Sequence, residues 1–364
     1  MANRFNNLRV PITSNHRESG STPYYGANGI QDYVKGYTHD GEFLLIAEDG
    51  ANDLKDYPIH YVSGKIWVNN HAHVLQAIEN YMNNYFLMYA LKKLNIQPYL
   101  VGGGRSKLNS DVMMRLKLYL PNREEQNKLS ALLKNIDETI TLLQRKINNL
   151  NKVKKGLLQK LFPAKQSINP RIRFNGFNQD WEQRELGDVA VVYDGTHQTP
   201  KYKDKGVMFL SVENIKTLKS NKFISNDDFE KGFKVYPQKD DVLMTRIGDI
   251  GTTNVVAIND KLAYYVSLAL IKSKIMQPYF LSYLISSNAV QNDIWRRTLH
   301  IAFPKKINKN EIVKISISKP SLEEQLQIGE LLKNIDETIT LLQKELEMNK
   351  QIKKGFLQKL FPKE

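Results

Sequence analysis

The chain has 364 residues, long enough for two or more units that each bury a core. Its 41% hydrophobic and 25% charged residues are ordinary for a globular protein, and its lack of cysteine excludes a disulfide framework, a thiolate zinc site, an iron–sulfur cluster and a cysteine nucleophile together. Lys and Arg total 52 against 38 Asp and Glu, a formal charge of +14, and a field of that sign attracts polyanions, nucleic acid above all.

No apolar run approaches the roughly 18 residues that span a bilayer, and no signal-peptide core opens the chain, so a cytoplasmic location is expected. From the first residue to 120, short β runs such as "GEFLLIA" and "KIWVNN" alternate with turns, and "YFLMYAL" from Tyr85 reads as a short amphipathic helix. Lys107-Leu108-Asn109 then leads through alternating residues to Pro121, which reads as a strand feeding a helix. Residues 121–165 read as that helix, opened behind a proline, with glutamates in its first turn, lysines in its last turns and a Phe-Pro stop. Residues 166–320 repeat the mixed pattern with "DVLMTRI", "TNVVAI" and "YFLSYLI" from Tyr279, and residues 321–364 form a second long helix. The organisation predicted is therefore an α+β chain with globular regions at 1–120 and 166–320 alternating with helices at 121–165 and 321–364.

The helices are copies of one another. "LLKNIDETITLLQ" stands at Leu132 to Gln144 and again at Leu331 to Gln343, an offset of 199 (331 − 132) that also relates Glu124-Glu125-Gln126 to Glu323-Glu324-Gln325 and Lys154-Lys155-Gly156 to Lys353-Lys354-Gly355. Steps of four and three connect Leu129, Leu133, Ile136, Ile140, Leu143 and Ile147 in the first copy, and Ile328, Leu332, Ile335, Ile339, Leu342 and Leu346 in the second. Such a stripe seeks a helical partner, and two copies in one chain predict an antiparallel coiled coil with a pseudo-twofold internal repeat. About 33 residues per helix gives a rod of roughly 50 Å. Asn349 replaces Leu150, and Lys154 and Lys353 occupy the next seam position, so these ends are expected to splay or to be covered by neighbouring domains.

Catalytic motifs are missing: there is no Walker A pattern, no H-E-x-x-H and no G-x-S-x-G. "VGGGR" ending at Arg105 lacks the strand and helix of a phosphate loop, and His71 and His73 in "NNHAH" lack further ligands for a metal. Neither a catalytic residue nor a metal site is expected. Nucleic-acid contact is better supplied, because bases and phosphates are bound by Arg, Lys, Asn, Gln, Thr, His and stacking Tyr. The first region offers Arg17, Tyr24, Tyr25, Asn28, Gln31, Asn69, Asn70, His71, Arg105 and Lys107; the second offers Thr196, His197, Gln198, Lys201, Lys203, Arg246, Arg296, Arg297, Lys305 and Lys306. The charge excess is greatest over 166–320, with 23 basic against 16 acidic residues, and over 121–165, with 10 against 4. From these residues alone a stand-alone DNA-binding adaptor and a coiled-coil assembly protein remain open alternatives.

The paired "EEQ…LLKNIDETITLLQ…KKG…LQKLFP" helices, "RFNGFNQDWEQRELGDVA" from Arg173 to Ala190, "PYYGANGIQDYV…DGEFLLIAEDGA" and "VNNHAHVL" together resemble the specificity subunits of Type I restriction–modification systems. The resemblance covers nearly the whole chain. It implies two target-recognition domains, each reading half of a split, asymmetric site in double-stranded DNA, and helices that fix the gap and dock two modification subunits as well as restriction subunits. It also implies a non-catalytic chain without cofactors of its own, S-adenosylmethionine, ATP and magnesium serving the partners, and adenine as the methylated base. One departure stands out: the first region passes from Arg4-Phe5-Asn6 to "RVPITSNHRESG" without a Trp or Leu-Gly-Asp element, so its recognition domain is expected to be short of an N-terminal strand.

Overall fold

The structure, a computed structural model, describes residues 1–103, 106–164 and 167–361, and Arg105 of the expected DNA contacts lies outside them. The chain divides into two compact units, Met1–Gln144 with Lys344–Glu364, and Arg145–Gln343. Each unit thus contains one globular region, the first part of one long helix and the last part of the other.

In the first unit the strands are β1 (Ala2–Arg4), β2 (Ser19–Gly26), β3 (Gly29–Val34), β4 (His39–Ala47), β5 (Ile59–Val68) and β6 (Ala72–Ala77), in the sheet order β1-β6-β4-β5-β2-β3. All neighbours are antiparallel except β2 and β5, which pair in parallel through Tyr24 opposite Trp67. Period-two alternation splits the core across this sheet: Phe43, Leu45, Val62 and Val74 face one side, and Leu44, Ile46, Ile59 and Leu75 face the other. Helix α1 (Asn84–Lys93) covers the second face, its start capped by Asn83, whose side chain accepts from the Phe86 amide at 2.7 Å. A short ribbon of β7 (Leu100–Val101) and β8 (Lys107–Leu108) and one helical turn, α2 (Ser110–Met114), precede the long helix α3 (Arg123–Lys160).

The second unit begins its globular part with β9 (Glu182–Glu185), the turn α4 (Leu186–Val189) and β10 (Val191–Asp194). Then come β11 (Val207–Leu210), β12 (Phe223–Ile224), α5 (Asn226–Gly232), β13 (Val242–Ile247), β14 (Asp249–Val255), β15 (Leu262–Tyr264) and β16 (Leu268–Lys272). Its sheets run β10-β16-β13-β14 and β12-β11-β15. Again one strand feeds two cores, Ala269 and Ile271 facing α6 (Pro278–Ile285) and α7 (Asn288–Arg297), and Leu268 and Leu270 facing Phe209 and Phe229. After α8 (Lys309–Ile312), strand β17 (Ser316–Lys319) pairs antiparallel with β9 and leads into α9 (Leu322–Leu360).

The long helices pack antiparallel. In the first unit Lys353 of α9 reaches Asp137 of α3 at 2.6 Å, and in the second Lys154 of α3 reaches Asp336 of α9 at 2.6 Å, pairs related by the same 199-residue offset (336 − 137, 353 − 154). Leu129, Leu133, Ile136, Leu143, Ile147, Ile328, Leu332, Ile339 and Leu346 are buried, and Ile140, Ile335 and Leu342 half-buried. Lys154 and Lys353, expected where the seam splays or is covered by neighbouring domains, tie the helices together through these carboxylates and lie over the Tyr283 and Tyr89 rings.

The strand expected before each helix forms only once. Residues 316–319 are extended because β9 supplies a partner, whereas 115–120 have none, since an isolated strand cannot satisfy its own amides. Met1 extends the Ala2–Ala77 pairing by accepting from the Ile78 amide at 2.9 Å, so that β1 runs beside β6 as β10 runs beside β16, where Val191 lies opposite Lys272.

Candidate nucleic-acid interface

Two loops of the second unit project from one scaffold, the second of them carrying exposed Ile301 and Phe303 at its tip. The loop after β10 is pinned at its start by the Thr196 amide donating to Tyr264 O (3.1 Å) and further on by the Lys203 amide donating to Phe223 O (2.8 Å), leaving His197, Gln198, Lys201 and Lys203 exposed. Between α7 and α8 a finger closes through the Leu299 amide donating to Lys306 O (2.8 Å), with Arg296, Lys305 and Lys306 exposed at its base. Arg297 is half-buried and paired with Asp293 (2.9 Å) and Glu311 (3.4 Å).

Arg246 stands apart from the other expected contacts. It is buried, its Nε donates to Ile307 O at 3.1 Å, and its guanidinium pairs with Asp194 at the end of β10. It therefore holds the finger beside the origin of the 196–203 loop, and is positioned to build the surface rather than to read from it. Its place inside the apolar run "LMTRI" was the visible sign of burial.

In the first unit most of the expected residues are committed to internal bonds. Tyr24 is buried, its hydroxyl accepting from the Ile12 amide at 3.0 Å, and Arg17 lies 4.2 Å above its ring while pairing with Asp32. Asn28 donates to Gly50 O (2.9 Å), buried Asn69 accepts from the His71 amide (2.8 Å), and His71 Nδ1 meets Asp49 at 2.6 Å. Lys107 and Arg9 converge on Glu48 at 2.9 and 2.6 Å. Burial raises the Glu48 pKa, but the bonds to Arg9 and Lys107 outweigh it and hold the carboxyl below the usual glutamate range. His73 is buried, Nε2 donating to Leu108 O (2.8 Å) and Nδ1 accepting from the Asn6 amide group (2.9 Å), a neutral arrangement that burial enforces by lowering its pKa. Tyr25 is half-buried, and Gln31 and Asn70 remain exposed. Among the described residues no group of three or more acidic, His or Cys side chains is placed to hold a metal.

A further pair of sites was missed by motif reading. Tyr85 and Tyr89 of α1 both donate to Asp137, and Tyr283 of α6 donates to Asp336 (2.6 Å), the same carboxylates that bind Lys353 and Lys154. Burial, and then the neighbouring carboxylate, push all three phenols far above their ordinary value, so they act purely as donors. The letters were visible as "YFL" and "NID" repeats, but at different offsets (279 − 85 = 194 against 199), so that only the fold joins them.

The sequence matches the Type I restriction modification DNA specificity domain twice, over residues 3–152 and 178–351. The chain belongs to this family. It is 36% identical over 259 residues to a putative type I restriction enzyme specificity subunit of Haemophilus influenzae, covering 70% of this chain and 65% of that protein. It is 26% identical over 308 residues to a type I restriction enzyme specificity subunit of Methanocaldococcus jannaschii, covering 78% and 70%. The fold of this specificity chain matches the crystal structure of a type I S subunit from M. genitalium with a TM-score of 0.73, at 14% identity over 100% of this chain and 96% of that one. No helix among its described residues is long and apolar enough to cross a membrane.

Proposed function

We propose that this specificity subunit binds a bipartite, asymmetric DNA site, one half-site per unit, and holds modification and restriction subunits on its paired helices, without catalysing a step itself. The observation that carries the reading is the duplicated junction: each globular unit is fastened to the helices by an Asp, Lys and Tyr set, Asp137 with Lys353 and Tyr85 in one and Asp336 with Lys154 and Tyr283 in the other. A repeated junction under two different polar loop sets suits two readers, one for each half-site. At 1.5 Å per residue, the 38 residues of α3 make a helix of roughly 57 Å. Methyl transfer from S-adenosylmethionine and ATP-driven cleavage with magnesium then belong to the partners. A relative structure described as type I complex assembly and conformational transition, at TM-score 0.50, supports looking for them.

In the second unit phosphate contacts fall to Lys201, Lys203, Arg296, Lys305 and Lys306, and base contacts to His197 and Gln198, with Thr196 at the base of the loop. In the first unit Tyr25, Gln31 and Asn70 take that role, with Arg17, Asn28, His71 and Lys107 shaping the surface. Replacing Arg296, Lys305 and Lys306 by Ala together is expected to flatten the salt dependence of DNA binding, lowering the slope of log K against log salt by roughly 2 to 3. An unchanged slope would remove these residues from the interface.

A further inference from the structure

The finger between α7 and α8 is bonded at its base and apolar at its tip. Its returning limb is laced to the turn joining β13 and β14: the Gly248 amide donates to Lys305 O at 2.8 Å, the Ile307 amide to Arg246 O at 2.9 Å, and Arg246 Nε to Ile307 O at 3.1 Å. The outgoing limb is steadied by His300, whose Nε2 donates to Trp295 O at 2.8 Å and whose ring centroid lies 4.7 Å from that of Trp295. Beyond these bonds Ile301 is 99% and Phe303 105% exposed, so neither side chain packs on the unit that carries it.

A lone exposed apolar residue needs no explanation, but two at the end of a braced projection add nothing to folding and gain only when something else covers them. The surroundings indicate what that is. Between Asp293 and Glu311 the sequence has five basic residues and no acidic one. Arg297 is answered by Asp293 and Glu311, whereas Lys305, Lys306 and Lys309 are exposed and Arg296 is exposed beside them. An apolar tip on a basic stem matches a polyanion whose interior is apolar, which describes stacked bases between two lines of phosphates. The Arg246–Asp194 pair also ties the finger to the origin of the 196–203 loop, where His197, Gln198, Lys201 and Lys203 are exposed, so one duplex can meet both.

We propose that Phe303, with Ile301 beside it, is an apolar wedge that enters the base stack of the second unit's half-site and opens one base step. Arg296, Lys305 and Lys306 hold the phosphates that flank the opened step, and the duplex kinks there. Opening is easiest at pyrimidine–purine steps, so the wedge selects sequence without a hydrogen bond to any base. This role deepens the DNA-binding reading and rests on it.

The probes are short duplexes enriched from a randomised pool by the full chain, carrying a donor dye at one end and an acceptor at the other, with 2-aminopurine in place of each adenine in turn. Binding of the unaltered chain is expected to raise energy transfer between the ends, and 2-aminopurine beside the opened step to brighten. Phe303→Ala should bind at least about tenfold more weakly and leave the duplex straight even at saturation, while Phe303→Trp restores the kink. Lys305→Ala with Lys306→Ala should weaken binding and flatten its salt dependence, yet still kink the duplex once saturated. These side chains are exposed, so the variants fold, and unaltered melting verifies it. An enriched motif that is bound straight, or kinked equally by Phe303→Ala, overturns the wedge alone. Failure of the pool to enrich any motif defeats the DNA-binding reading, and the wedge with it. A Phe303→Ala chain that binds and kinks DNA normally but no longer holds a modification subunit would assign the tip to a protein partner instead.

Discussion

The two units share a junction and differ at a clasp. Where they meet the helices, Asp137 with Tyr85, Tyr89 and Lys353 repeats as Asp336 with Tyr283 and Lys154. Behind that junction, Glu324 is buried under Arg173 and Trp181, whereas Glu125 is exposed. One carboxylate is repeated because the helix geometry needs it in both places; the other is repeated in sequence, yet is gripped by an arginine and a tryptophan only as Glu324. A repeated letter is thus not a repeated interaction, and the surroundings decide.

The largest effect is expected at the helix seam. Leu143→Asp puts a charge at a buried position of the antiparallel pair and is expected to cost about 4 kcal/mol, read as a large fall in denaturation midpoint. An unaffected midpoint would show the helices contributing little. The clasp comes next. Glu324→Ala strands the half-buried Arg173 guanidinium and the Trp181 indole and is expected to cost about 3 kcal/mol, while Glu125→Ala stays within about 0.5 kcal/mol. Equal losses at the two sites would erase the difference drawn here.

Smaller effects sharpen the likeness. Asp137→Asn, removing a carboxylate that serves two tyrosines and a lysine, is expected to cost about 1–2 kcal/mol, and Asp336→Asn somewhat less, because Asp336 is 38% exposed and has one tyrosine donor. Acid should separate the units by a smaller margin. His39 and His73 are buried in the first unit, and burial lowers the pKa of both, so the folded state binds their protons less readily than the unfolded chain. Their contribution is complete above the ordinary histidine value of about 6.5 and is lost as pH falls from there through the lowered folded values. Hydrogen exchange across that range is expected to show amides of β4 and β6 losing protection before those of β13 and β16.

Much of this was legible in the letters. The heptad positions, the helix stops and the 199-residue repeat are local or periodic signals, and the antiparallel pairing follows from them. What local pattern could not show was the outcome at 115–120, because a strand exists only when a distant partner is present. Nor could it show that Arg246 turns inward to Asp194, or that the Tyr85 hydroxyl donates to Asp137, 52 residues away. Those are long-range pairings, invisible to periodicity.

The most direct test of the central reading is to co-express the chain with a type I modification subunit and map methylated positions across the host genome. One split motif is expected, two short unlike half-sites separated by a fixed run of unspecified bases, with a Lys201→Ala, Lys305→Ala variant reducing methylation at the whole motif. A methylated motif that is continuous, or an assembled complex that methylates without sequence preference, would contradict it.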